Sequence, residues 1–201
     1  MISIIDYDAG NIKSVEKALE FLGQDVIITD DKDKIMASDK VILPGVGAFG
    51  DAMDKLRSRG LESVIRDYAA TGRPFLGICL GLQLLFEESE ESPGVKGLGL
   101  LKGKIVRIPG SDDLKVPQIG WNNIEVNPSS KLLAGLGKNP YVYFVHSYYL
   151  QAENSEEVAA TTEYGVTIHA AVEKDNIMAC QFHPEKSSDV GLKILTNFIN
   201  L

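Results

Sequence analysis

An α/β fold, a mostly parallel sheet with helices on both faces and an added antiparallel layer, is predicted by three observations. Strand-like and helix-like segments alternate through the first half of the chain. From Gly97 to about Gln151 the pattern changes to short extended segments broken by Gly, Pro and Asn. The chain closes on an amphipathic segment suited to dock on a sheet.

Taken in order, "ISIIDY" reads as a first strand, and Asn11 stands where it can cap a helix whose Ile12, Val15, Leu19 and Leu22 form one stripe before Gly23 stops it. "DVIIT" returns as a strand and "KVILPG" follows as a third. Helical periods run from Phe49 to Arg57 and from Leu61 to Thr71, and "PFLGI" is the next strand, leading into a helix. This alternation requires parallel strands joined by crossovers, with reactive groups on loops at the carboxyl ends of the strands. "GKIVRIP", "NNIEV" and "YVYFV" supply the antiparallel layer. In "DVGLKILTNFINL", Leu192, Leu195, Phe198 and Ile199 make the apolar helical face. Neither a linker nor an internal repeat interrupts the pattern, so a single domain over residues 1–201 is expected.

Twenty basic against 28 acidic side chains give a formal charge of −8. Such a surface repels phosphate backbones and anionic lipid, so neither nucleic acid nor membrane is an expected partner. The N-terminal segment has no basic region, and no apolar run reaches membrane-spanning length, so a cytoplasmic location is expected. Two cysteines, Cys79 and Cys180, are too few for a disulfide framework. His146, His169 and His183 are far apart and lack zinc-site spacing, so no metal and no cofactor is expected. The acidic run "EESEES", Glu87 to Ser92, reads as a solvated helix end and loop rather than a cation site.

Chemistry concentrates in "GICLG". This is a Gly-x-Cys-x-Gly strand-to-helix turn, the thiol counterpart of the serine nucleophile elbow. Gly77 and Gly81 lack Cβ atoms, which lets strand and helix close on either side of a strained Cys79. At the start of the helix the thiol faces unpaired N–H groups that favour thiolate, and the Leu80 N–H is placed to hold an oxyanion. By itself so short a pattern is equally a small buried cysteine in a glycine-rich turn. A base appears in "NIMACQFHPEKS", where a strand over Ile177–Phe182 delivers His183. Two positions on, Glu185 shares its face in extended chain and can orient the imidazole.

Together, "GICLGLQ" and "QFHPEKS", about a hundred residues apart, resemble the paired signatures of class I glutamine amidotransferases. Within that family, "DYDAGN", "PGVGAFG", "PQIGWN" and "YFVHSYY" resemble the glutaminase subunits of imidazole glycerol phosphate synthases, and the likeness spans nearly the whole chain. Related glutaminases usually read Pro-Gly-Gly where this chain has Pro44-Gly45-Val46. The resemblance implies a flavodoxin-like sheet and a Cys79–His183–Glu185 triad that hydrolyses the side-chain amide of glutamine through a thioester. It also implies glutamine contacts from Gly47, Gln83 and backbone around Ser147 and Tyr148. The partner it implies is a (β/α)8-barrel cyclase, forming a heterodimer, with Trp121, Tyr143 and Lys186 near the interface. That cyclase uses the ammonia to make imidazole glycerol phosphate and aminoimidazole carboxamide ribotide in histidine biosynthesis. The "PGVG" loop, opposite Leu80, is expected to supply a second oxyanion donor, the Val46 N–H. At rest the Gly45–Val46 peptide would turn its carbonyl inward instead. His146 and His169 are expected to be structural, and Cys180 buried and unreactive.

Overall fold

The computed structural model describes residues 1–8, 10–111 and 114–201; Ala9, within "DYDAGN", lies outside them. The first half runs β1 (Ile2–Ile5), α1 (Ile12–Phe21), β2 (Val26–Thr29), α2 (Lys32–Ala37), β3 (Lys40–Leu43), α3 (Phe49–Ser58), α4 (Leu61–Ala70), β4 (Phe75–Ile78) and α5 (Leu80–Leu84). The second half contains β5 (Glu88–Ser89), β6 (Gly103–Arg107), β7 (Gln118–Asn123), β8 (Glu125–Val126), β9 (Tyr141–His146) and β10 (Tyr148–Ala152). Then come β11 (Val158–Glu163), β12 (Thr167–Lys174), β13 (Ile177–Cys180) and α6 (Ser188–Ile199).

Strands β2, β1, β3, β4 and β13 pair in that order and are parallel throughout. This is the doubly wound flavodoxin-like order, in which ligands gather beyond the carboxyl ends of the strands. From β13 the sheet continues antiparallel through β12, β10 and β6. Much of the expected antiparallel layer therefore extends the central sheet instead of covering it. Strands β7 and β9 form a separate two-stranded ribbon. The reason is geometric: β13 brings its open edge to β12, and a hairpin return satisfies that edge with ladder hydrogen bonds.

Two apolar layers sandwich the parallel strands. On one face Val15 and Leu19 of α1 join Ile194, Leu195 and Phe198 of α6. On the other, Ile35, Met53, Leu56, Ile65 and Tyr68 come from α2, α3 and α4. The C-terminal helix buries Ile194 as well, while Leu192 and Ile199 stay at its half-buried margin. Short α2, capped by the Asp31 carboxylate on the N–H groups of Asp33 and Lys34, was not evident from apolar period because its six residues present only one buried side chain.

The acidic run departs from expectation. Instead of a solvated helix end, Glu88–Ser89 pair with β6, and Glu91 and Ser92 accept hydrogen bonds from the N–H groups of Phe49 (2.7 Å) and Gly50 (2.9 Å). The run caps α3, whose own N-terminal residue Ala48 has no side-chain acceptor to offer. Among the described residues no group of three or more His, Cys, Asp and Glu side chains is arranged to hold a metal ion. Nor is any helix among them long and apolar enough to cross a membrane.

Candidate active site

The elbow between β4 and α5 places Cys79 at φ 55°, ψ −109°, a conformation that L residues rarely adopt. Its glycines are sterically compelled. A Cβ on Gly81 would lie 1.8 Å from the Leu43 carbonyl oxygen of β3, and one on Gly77 would lie 2.9 Å from the Gly81 carbonyl oxygen. Helix α5 is five residues long, so its dipole gives the sulfur less support than a full helix would.

Strand β13, beside β4, delivers His183 just past its end, where the His183 N–H bonds the Tyr143 carbonyl at 2.9 Å. Glu185 reaches the imidazole by a different route from the extended one expected. Residues Pro184–Lys186 form a 3-10 turn, and it is this turn that folds the carboxylate back onto the ring. His183 Nδ1 and Glu185 Oε1 are 2.7 Å apart, with side chains 1% and 0% exposed. Burial works to lower the pKa of His183, but the neighbouring Cys79 sulfur and Glu185 carboxylate outweigh it and raise it to about 9. The ring is therefore cationic near neutral pH when its neighbours are anionic. Among the described residues His183 Nε2 has no hydrogen-bond partner, which leaves it available for proton transfer.

Two residues join the site that pattern reasoning left out of it. Asn11 does not cap α1; it adopts φ 68° and donates its Nδ2 to Glu185 Oε1 at 2.6 Å. Gln181, completely buried, donates Nε2 to the Cys79 sulfur at 3.6 Å. A signal for Gln181 exists in the strand alternation that carries His183, since positions 181 and 183 fall on the same side. None exists for Asn11, whose partner lies 174 positions away.

Cys79 opens into a cleft of about 300 Å³ shared with Val46, Gly47, Gln83, Ser147 and Tyr148. That volume sits at the small end of the range for small-molecule sites. Gln83 is buried and donates to the Tyr148 carbonyl (3.1 Å) and Gln181 Oε1 (3.0 Å). The Tyr148 carbonyl also meets His146 Nδ1 at 2.9 Å, so this backbone oxygen is already occupied by internal donors. The Leu80 N–H points to the Gly45 carbonyl at 3.3 Å, the inward-carbonyl arrangement of the "PGVG" loop. Beneath that loop, the buried Tyr7 hydroxyl donates to the Pro44 carbonyl at 2.8 Å.

The remaining candidates separate clearly. His146 lines the cleft with its pKa lowered to about 4, by burial and further by His183 against the Tyr148 bond; its Nε2 lies 2.9 Å from Gln118 Oε1, and with Nδ1 donating to the Tyr148 carbonyl a neutral ring accepts there from the Gln118 amide turned to present its NH2. It is a neutral structural ring. His169 accepts the Ala152 N–H, its pKa lowered by burial. Cys180 is fully buried, its thiol pushed up by burial and by the charges of Glu185 and Cys79. Trp121 is 52% exposed and stands edge-on to Tyr143 with centroids 6.1 Å apart. Lys186, the last residue of the Pro184–Lys186 turn, is exposed.

A family model, glutamine amidotransferase class-I, matches residues 3–201. Among curated proteins, the chain is 51% identical over 203 residues to the imidazole glycerol phosphate synthase subunit HisH of Syntrophotalea carbinolica, covering 98% of each chain. It is 50% identical to that of Methanothermobacter thermautotrophicus, covering 100% of this chain and 98% of the other. The HisH subunit of Bacillus subtilis is 48% identical, with 100% and 96% covered. Solved structures share the fold at lower identity. One described as a glutamine amidotransferase superposes with TM-score 0.76 at 22% identity over 98% of both chains, and PurLQS from Thermotoga maritima with TM-score 0.74 at 22% identity over 99% and 97%. The cysteine elbow, the buried histidine–glutamate pair and a family match over almost every residue converge: the chain belongs to the class I glutamine amidotransferases.

Proposed function

We propose that the chain, as a single cytoplasmic domain, is the glutaminase subunit of an imidazole glycerol phosphate synthase. The observation that carries this reading is the buried His183–Glu185 pair beside a cysteine on a strained elbow, in a chain about half identical to HisH subunits throughout. The Cys79 thiolate attacks the amide carbon of glutamine, and the electrons of the carbonyl move onto oxygen. Collapse of that intermediate expels the amine, which His183 protonates so that it leaves as ammonia. The γ-glutamyl thioester remains on sulfur. His183, now neutral, takes a proton from water, the hydroxide attacks the thioester, and the departing sulfur releases glutamate. Glu185 holds the ring and balances its charge, and Asn11 holds Glu185. Gly47 and Gln83 border the space for the glutamine head group.

The oxyanion needs donors, and in this arrangement the Leu80 N–H is spent on the Gly45 carbonyl. Turning the Gly45–Val46 peptide frees Leu80 and brings the Val46 N–H inward, giving two donors together. Loss of one such donor costs about a hundredfold to a thousandfold in rate, enough for a gate that spares glutamine when no acceptor waits.

The partner is a (β/α)8-barrel cyclase that receives the ammonia. Register on the β7–β9 ribbon supports a docking face: Ile119 and Trp121 stand on the same side as Tyr141 and Tyr143, and the first three are 63%, 52% and 54% exposed. The opposite side buries Val142 and Phe144. Single-sided apolar exposure of this kind marks an interaction surface. Lys186 would add a charged contact at its edge.

Glutamate release by the chain alone, with cyclase, and with cyclase plus its ligand is the test. The expected result is a feeble isolated glutaminase whose kcat rises at least about tenfold in the liganded complex. An isolated chain already turning over at the stimulated rate removes the gate. No glutamine-dependent product with the histidine-pathway cyclase would instead point to an amidotransferase serving another synthase.

A further inference from the structure

We infer that Gln181 is a positioning residue for the nucleophile, a buried amide that holds the Cys79 sulfur and ties it to the glutamine-binding side chain Gln83. The orientation follows from counting hydrogens. Gln83 donates one Nε2 hydrogen to the Tyr148 carbonyl, a backbone oxygen that can only accept, at 3.1 Å. That contact determines which way the Gln83 amide points. Its second hydrogen goes to Gln181 Oε1 at 3.0 Å, which determines the Gln181 amide in turn. The Gln181 Nε2 is then left to face Cys79 Sγ at 3.6 Å, as donor.

The relay is rigid at both ends. Gln181 is 0% exposed, its N–H bonds the Ala170 carbonyl at 2.8 Å, and the Cys79 N–H bonds the Cys180 carbonyl at 2.8 Å. Full burial keeps the donor away from bulk solvent, and an N–H directed at sulfur is a stronger partner for thiolate than for thiol. Gln181 therefore restrains the sulfur and favours its charged form. It is uncharged and moves no proton; His183 remains the base. A substrate that engages Gln83 also braces the amide that holds the nucleophile. This link to glutamine rests on the glutaminase reading above.

The test is the pH dependence of Cys79 alkylation by iodoacetamide, followed by mass spectrometry of the Cys79 peptide, in parent and Q181M, where methionine keeps side-chain length and removes the amide. The expected result is a midpoint about one pH unit higher in Q181M, a tenfold smaller thiolate fraction at a given pH below it. In the cyclase complex, glutamine-dependent kcat should fall by about tenfold or more, with KM for glutamine and ammonia-dependent synthesis near the parent values. A residue that only fills space would not move the alkylation midpoint, so an unchanged midpoint in folded Q181M overturns the inference. Should Q181M not fold, Q181N, whose amide ends one methylene short of the sulfur, carries the same expectation and the same overturning result. Alkylation needs no glutamine. A shifted midpoint in a protein that fails to use glutamine would sink the glutaminase reading and leave the role of Gln181 standing.

Discussion

Cys79 and Cys180 lie at the ends of neighbouring parallel strands, joined by a hydrogen bond from the Cys79 N–H to the Cys180 carbonyl. Cys180 continues the pleat of β13, fully enclosed, with its S–H directed at the Phe182 carbonyl at 3.5 Å. Cys79 leaves the pleat at positive φ, which turns its side chain out of the sheet toward the cleft and the Gln181 amide. Identical chemistry one strand apart thus serves packing in one case and, in the function proposed, nucleophilic attack in the other. The difference is made by backbone conformation and by which polar groups meet the sulfur, both of which are set by neighbouring elements.

The widest separation is expected from removing each sulfur. Cys79→Ala should lower glutamine-dependent synthesis on the order of 10⁴-fold or more while ammonia-dependent synthesis by the assembled complex stays close to the parent rate. Equal loss of both activities would show that Cys79 supports assembly instead. Gly81→Ala attacks the backbone half of the comparison. A Cβ 1.8 Å from the Leu43 oxygen forces β3 and α5 apart, and a loss of about 3 kcal/mol or more in chemical unfolding is expected. Near-parent stability would mean that the elbow yields where the packing says it cannot.

Proton linkage sharpens the contrast between His146, which lines the cleft, and His183, buried beside Cys79. His183, raised to about 9, binds more protons folded than unfolded. It adds stability that is complete below about pH 6.5 and is lost as pH climbs through about 9. His146, lowered to about 4, has the opposite sign: its contribution is present above about pH 6.5 and lost as pH falls through about 4. Unfolding midpoints measured across this range should decline on the alkaline side in the parent and decline less in Cys79→Ala, which lacks the sulfur that helps raise His183. Superimposable alkaline limbs would contradict that cause.

Smaller effects come next. Asn11→Ala removes one of the two hydrogen bonds on Glu185 Oε1, and kcat for glutamine should fall about tenfold, the rate equivalent of one such bond. An unchanged kcat would make Asn11 a spectator. Cys180→Ala should be the mildest, costing about 1 kcal/mol in unfolding with no change in glutamine turnover. A loss of turnover there would mean that the two cysteines are not as separate as their surroundings indicate.

Much of this architecture was written locally. The strands and helices of the parallel half follow from apolar period and turn residues, because a strand buried on both faces and a helix buried along one stripe leave different local patterns. Gly77, Cys79 and Gly81 were legible for the same reason: a strained turn demands small neighbours within a few residues. His183 and Glu185 were paired correctly from spacing, although a 3-10 turn rather than extended chain joins them. The function itself became legible only when separate motifs were taken together as a family resemblance.

What the tertiary structure alone decided are contacts between residues far apart in the chain. Asn11 appeared to be a helix cap because nothing local betrays a carboxylate 174 positions away. Glu91 and Ser92 appeared to be solvated because the bare N-terminus of α3 that they cap lies 42 positions upstream. Gln83 and Gln181, 98 positions apart, become one relay only when β13 docks beside β4. By itself the sequence determined most elements of the parallel half and the candidate trio, since periodicity and steric demand act over a few residues. Orientation of the trio awaited the fold, because hydrogen-bond partners of buried polar groups are chosen by whichever strands and loops the sheet brings together.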